Sequence, residues 1–189
     1  MTGAQAATLS FLIGYAAPST DAEPIPQRII NLFSMMGLPH KITFCGKLGA
    51  GLVVKLANNY ISCSTMIAVA EGMAIGVRNG IDKKVLYECL HNSTAQSWVL
   101  DNMTPLGGCV PHAPSSNNYA PSFKPFMMVK DLTLASQAGR QAGIKPIMAE
   151  TALGVFEKAA EDPRCMVCPI SCTLLSLPLS RPAIIRANL

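Results

Sequence analysis

The sequence predicts a mainly α chain, a helical bundle built on one long helix and preceded by a short β-α-β segment. Three observations predict it. One helical pattern runs from about Gly49 to Asn79 without a proline. Two further helical periodicities cover residues 123–142 and 146–160. Within residues 1–47, two short apolar runs flank one amphipathic run. The chain therefore divides into 1–47, a helical 48–162 and a Cys-, Pro- and Leu-rich 163–189 that the pattern assigns to no element.

Thr8-Leu9-Ser10-Phe11-Leu12-Ile13 reads as a strand ended by Gly14, followed by a loop of Pro, Ser, Thr and Asp. Pro24 and Pro26 suit a helix start; Ile29, Ile30, Leu32, Phe33 and Met36 form its apolar face, and Gly37 with Pro39 stops it. Lys41-Ile42-Thr43-Phe44-Cys45 reads as a second strand. Two strands and a helix do not make a stable sheet alone, so this segment is expected to be the end of an α/β domain that begins outside the sequence.

The long helical pattern would span roughly 45 Å at 1.5 Å per residue. Asn79-Gly80 ends it, and its wealth of Ala, Val, Ile and Met predicts burial nearly all round. Asp82 caps a next helix with Val85, Leu86, Cys89 and Leu90 as apolar members, and Ser97 to Met103 forms a short turn or two. Residues 104–122 lack periodicity and read as a loop. In the helix from Phe123 to Ala142, the inward set is Phe126, Met127, Val129, Leu132, Leu134 and Ala138, with Gly143 as stop; Pro146 opens a last helix to about Ala160.

Composition excludes several function classes. Hydrophobic residues make up 50% of the 189 and charged ones 14%, a surplus that needs other protein to cover it, either a missing domain or a second subunit. A membrane is not expected: the charge-free run from Leu56 to Ala70 is too short and too polar to span. No signal peptide is read at the N-terminus. The net charge of +4 is spread along the chain, so nucleic acid is not indicated. Seven cysteines, with Cys45, Cys63 and Cys89 in apolar segments, fit reduced thiols packed as small hydrophobes in a reducing compartment. Cys165, Cys168 and Cys172 lack a nearby fourth ligand, so no metal is expected.

The stretch Gly46-Lys47-Leu48-Gly49-Ala50-Gly51-Leu52-Val53-Val54-Lys55-Leu56-Ala57-Asn58-Asn59 carries the chemistry. It is not a P-loop, because Leu52-Val53 follows Gly51 where Lys-Ser/Thr is required. It is not a dinucleotide fingerprint, because Val54 stands where a third small residue belongs. Lys55 and Asn59 share a helix face, and an amine beside a carboxamide suits proton exchange with a hydroxyl and hydrogen bonding to a carboxylate. From spacing alone, chain-breaking glycines ahead of a solvated lysine is the commoner reading.

These pieces in order resemble the 3-hydroxyisobutyrate dehydrogenase family, the β-hydroxyacid dehydrogenases, over roughly residues 3–162. Gly3-Ala4, Ala7-Thr8-Leu9 and Gly14 look like the last part of that family's nucleotide-binding domain; Gly46 to Asn59 resembles its glycine-rich approach to the interdomain helix. Phe123 with Met128-Val129-Lys130-Asp131-Leu132-Thr133-Leu134-Ala135 resembles the helix that closes over its cofactor. The helical part is similar to the C-terminal domain of 6-phosphogluconate dehydrogenase. The resemblance implies a catalytic lysine at Lys55, a substrate-binding asparagine at Asn59, and cofactor-binding residues at Lys130 and Phe123. Asp131 reads either as a brace that orients its neighbour or as a solvated charge. NAD or NADP is the implied cofactor and a small hydroxyacid, oxidised to its semialdehyde as in valine catabolism, the implied substrate. Eukaryotic members of the family are mitochondrial, although no transit peptide is read here. The family's dinucleotide fingerprint and Ser-Gly-Gly substrate loop would precede Met1, so the chain is expected to be a truncated, inactive part of such an enzyme and a homo-oligomer. Rival readings are a non-catalytic helical dimerisation module and a metal-binding regulator built on the cysteine tail.

Overall fold

The structure is a computed structural model that describes residues 9–15, 27–119 and 124–165. It falls into two compact units, Met1–Asn58 and Asn59–Leu189, with the boundary inside a helix.

In the first unit, strands β1 (Leu9–Gly14) and β2 (Gly37–Gly46) pair in parallel, with Phe11 opposite Ile42 and Ile13 opposite Phe44. Between them lies α1 (Gln27–Ser34), whose Phe33 ring sits 4.5 Å from that of Phe11. The helix stops at Ser34, and β2 begins at Gly37 and runs through Pro39, so this proline belongs to a strand rather than to a helix stop. A proline is tolerated there because a strand paired on one side does not need every N–H. Of the apolar residues assigned to α1, Ile30 and Phe33 turn partly inward, while Ile29, Leu32 and Met36 are exposed, since one helix over the two described strands covers a single narrow stripe. Pro24, Pro26 and Thr8 lie outside the described residues.

Helix α2 (Ala50–Arg78) carries the chain from the first unit into the second. It is long and apolar enough, by length and composition only, to cross a membrane, more so than the charge-free run within it predicts. Its inner face is otherwise accounted for. Cys63, Met66 and Ile67 pack in one cluster with Val99, Met128, Leu132, Ala149, Ala152 and Phe156, and Met73 in a second with Leu86, Leu100 and Leu106. The expectation of burial nearly all round is corrected: Leu52, Val53, Val54, Ile61 and Ile75 are exposed, because neighbours cover only one face of the helix.

Among the described residues, four further α-helices belong to the second unit: α3 (Lys83–His91), α4 (Trp98–Met103), α5 (Pro125–Gln141) and α6 (Ile147–Glu161). Asp82 caps α3, its carboxylate accepting from the backbone N–H of Lys84 and Val85 at 2.9 and 3.2 Å, and Ser97 caps α4. Gly76 brings α3 close, for a Cβ there would strike the Leu86 side chain. Of the apolar members assigned to α3, Leu86 is buried, while Val85 and Cys89 are exposed, so Cys89 is not a packed thiol. On α5, Phe126 and Leu134 face out, whereas Met128, Asp131, Leu132 and Ser136 are buried. The register is therefore turned from the expected face toward one that includes an acid.

The aperiodic stretch after α4 is organised through residue 119 by its own hydrogen bonds. Ser115 Oγ donates to the Thr104 carbonyl at 2.6 Å, Tyr119 Oη to that of Pro105 at 3.1 Å, and Gly108 N–H to Ser116 Oγ at 2.9 Å. Asn118 and Tyr119 have φ of 51° and 52°, a left-handed conformation uncommon outside glycine.

Candidate active site

In the first unit, backbone geometry explains the glycines ahead of Lys55. Gly46 and Gly49 have φ of 100° and 89°, which side-chain-bearing residues rarely adopt. A Cβ on Gly51 would strike the Leu12 carbonyl, so the start of α2 passes against β1 only because that position is glycine. Lys55 follows in the second turn of α2 and is exposed.

In the second unit, Asn59 and α5 are joined through one carboxylate. Asn59 Nδ2 donates to Asp131 Oδ2 at 2.6 Å, and Lys130 Nζ lies 3.0 Å from Asp131 Oδ1. The Asp131 side chain is 3% exposed and that of Lys130 55%. Taking a carboxylate out of water is costly unless cations and donors replace the lost hydration, and here an ammonium and an amide N–H do so. Asp131 is thus a buried, paired carboxylate and not a solvated charge.

Cys63 lies four residues beyond Asn59, on the same face of α2. Burial, followed by the nearby Asp131 charge, pushes its thiol up to about 12, so it stays protonated and unreactive at neutral pH. No metal site accompanies this cluster: among the described residues no group of three or more His, Cys, Asp or Glu could hold an ion. Phe123 and the tail cysteines Cys168 and Cys172 lie outside the described residues.

Of the residues singled out from sequence, then, Asn59 and Lys130 meet at Asp131, and Lys55 stands exposed in the other unit. Cys63 was read only as a packed thiol; its four-residue spacing from Asn59 is the signal that tied it to the cluster.

Residues 49–164 match the family model described as the NAD-binding segment of NADP-dependent 3-hydroxyisobutyrate dehydrogenase. The chain belongs to this family. It is 37% identical over 154 residues to the NAD-dependent L-serine dehydrogenase of Pseudomonas aeruginosa, covering 82% of this chain and 49% of that protein. Against the mitochondrial 3-hydroxyisobutyrate dehydrogenase of Drosophila melanogaster it is 38% identical over 134 residues, 71% of this chain and 39% of the relative. Among solved structures, the 3-hydroxyisobutyrate dehydrogenase of Mycobacterium tuberculosis with L-serine superposes with a TM-score of 0.78 at 29% identity, covering 90% of this chain and 56% of the other. The chain spans about half the length of the family members it matches.

Proposed function

We propose that this chain contributes the helical part of an NAD- or NADP-dependent hydroxyacid dehydrogenase of the 3-hydroxyisobutyrate type. The observation that carries the reading is the Asn59–Asp131–Lys130 cluster, which ties the asparagine of the glycine-rich motif to the lysine of the α5 motif within a family-matched segment.

In this reading Lys55 exchanges the proton of the substrate hydroxyl. Asn59 binds the hydroxyacid, its carboxamide suiting both hydroxyl and carboxylate groups. Lys130 presents a half-exposed ammonium to the anionic cofactor, and Phe123, outside the described residues, takes the cofactor-binding role that the family resemblance implies for it. Lys130 fits the cofactor as a cationic contact, and a bound nicotinamide ring would supply the acceptor for the hydride. The substrate is a small hydroxyacid such as 3-hydroxyisobutyrate or L-serine, the product its semialdehyde. Residues 1–47 are assigned to a nucleotide-binding domain and 48–162 to a helical bundle on α2, with the Cys-, Pro- and Leu-rich 163–189 assigned to neither. The exposed Leu52, Val53, Ile61 and Ile75 of α2 favour self-association, and by themselves would suit a non-catalytic dimerisation module.

The test is reduction of NAD or NADP in the presence of 3-hydroxyisobutyrate or L-serine, followed by absorbance. The 189 residues alone are expected to show no turnover and only weak NAD binding, because two described strands offer little of a dinucleotide fold. A chimera carrying, ahead of this chain, the N-terminal half of the Pseudomonas aeruginosa L-serine dehydrogenase is expected to turn over. Micromolar NAD binding by the 189 residues alone would overturn the expected inactivity; a folded chimera that oxidises no hydroxyacid would leave the dimerisation module.

A further inference from the structure

We propose that Asp131 is a positioning residue: its buried carboxylate sets the orientation of Asn59 toward substrate and of Lys130 toward cofactor. The proposal rests on the reading of Asn59 and Lys130 as ligand-binding residues.

The geometry carries it. A carboxamide can turn either its NH₂ or its carbonyl toward a partner, and the two are nearly equal in shape. A carboxylate only accepts, so Asp131 fixes which way Asn59 is turned: Nδ2 faces Oδ2 at 2.6 Å, and the carbonyl oxygen is directed elsewhere. The other oxygen, Oδ1, draws the Lys130 ammonium to 3.0 Å. Lys130 is otherwise a long, half-exposed side chain with several rotatable bonds, and a neighbouring charge narrows where its ammonium sits. One group therefore couples Asn59 on α2, 72 positions away in sequence, to its own neighbour Lys130 on α5, and α5 holds it because Met128 and Leu132, on either side of it, are buried in the core.

Asp131→Asn removes the rule without changing the size. An amide at this position pairs with Asn59 in either orientation, and its NH₂ group, when turned to Lys130, opposes the ammonium. Partners that orient a metal-ligating residue typically contribute about 10- to 100-fold, and an effect of the same size is expected here.

Two measurements test the proposal. In the full 189-residue chain, the Asn59 side-chain NH₂ protons, followed by NMR, are expected to exchange slowly with water in the wild type and at least tenfold faster in Asp131→Asn; equal rates would overturn it. In the active chimera described above, Asp131→Asn is expected to raise KM for the hydroxyacid 10- to 100-fold with kcat changed by only a few fold. The double exchange Asn59→Asp with Asp131→Asn restores an amide–carboxylate pair, so thermal stability should recover while KM does not. Recovery of both would make Asp131 a structural brace only. An unchanged KM in Asp131→Asn, with turnover still abolished by Lys55→Ala, overturns the positioning role and leaves the dehydrogenase reading standing. A folded chimera that oxidises no hydroxyacid overturns both.

Discussion

Asn59 on α2 and Asp131 on α5 are joined by a 2.6 Å hydrogen bond, the amide nitrogen donating to a carboxylate that is almost wholly withdrawn from water. Because the same carboxylate draws in Lys130, the packing of α5 on α2 and the arrangement of the proposed ligand-binding groups are one structural fact. Removing one member of such a buried cluster leaves a charge or donor without its partner, which costs about 3–5 kcal/mol for a fully buried pair and less here, where Lys130 reaches solvent.

The residue with the largest expected effect on turnover is Lys55. In the chimera, Lys55→Ala should abolish activity while circular dichroism and thermal midpoint stay near those of the parent, since the side chain is exposed. General acid–base groups contribute about 10²- to 10⁴-fold, so the loss should be roughly 3–5 kcal/mol of transition-state stabilisation. Lys47→Ala, ahead of the helix, should leave the rate within a few fold. A near-normal rate in Lys55→Ala would return this lysine to the role of a surface charge.

Hydrogen exchange should rank the two units. Among the described residues the sheet has two strands and so two open edges, and Leu9 to Ile13 should exchange much faster than the Met66 to Met73 segment of α2, which lies in the apolar clusters. Equal protection would mean that β1 and β2 are covered by a further partner in solution.

Thiol chemistry should separate Cys63 from Cys89. At pH 8 a thiol reagent should modify exposed Cys89 quickly and buried Cys63 only at the rate of local opening. The sign of the linked stability effect follows from the raised thiol. Its contribution is fully present below the unfolded-state value near 9 and is lost as pH rises toward about 12, because the unfolded chain ionises first. Urea midpoints measured from pH 8 upward should therefore decline, and less steeply in Cys63→Val.

On the acid side the group to follow is Asp101. Burial opposes its ionisation, but hydrogen bonds from His91 Nδ1 and Gln96 Nε2, both at 2.7 Å, outweigh it and hold the carboxyl below its ordinary value. Nδ1 must carry the proton, since the carboxylate only accepts. A lowered folded-state value means stability present above about pH 4, the unfolded carboxyl range, and lost as pH falls through the folded value. The Tyr87 ring stacks on His91 at 5.6 Å and its hydroxyl also reaches Asp101, so the cluster fastens α3 to α4. Asp101→Asn should flatten the acid limb of the stability curve by no more than about 1 kcal/mol, given the partial exposure of His91 and Asp101.

What the sequence by itself determined was local. The Asp82 cap, the stop at Gly143 with its φ of 76°, the α2 boundaries within a residue and the positive-φ glycines Gly46 and Gly49 all follow from interactions among neighbours in the chain. The family motifs were legible for the same reason, since each is a short pattern at fixed spacing. Tertiary structure decided which face of each helix is inside. An apolar periodicity in Phe126-Met127-Met128-Val129 allows more than one inward stripe, and the choice of Met128, Asp131 and Leu132 over Phe126 and Leu134 depended on the surface that α2 and α6 present. The same long-range choice turned Asp131 from a charge that could have been solvated into a buried partner of Asn59. A hydrogen bond between residues 72 positions apart in sequence has no local signature, because the low-dielectric surroundings that strengthen it exist only once the helices have packed.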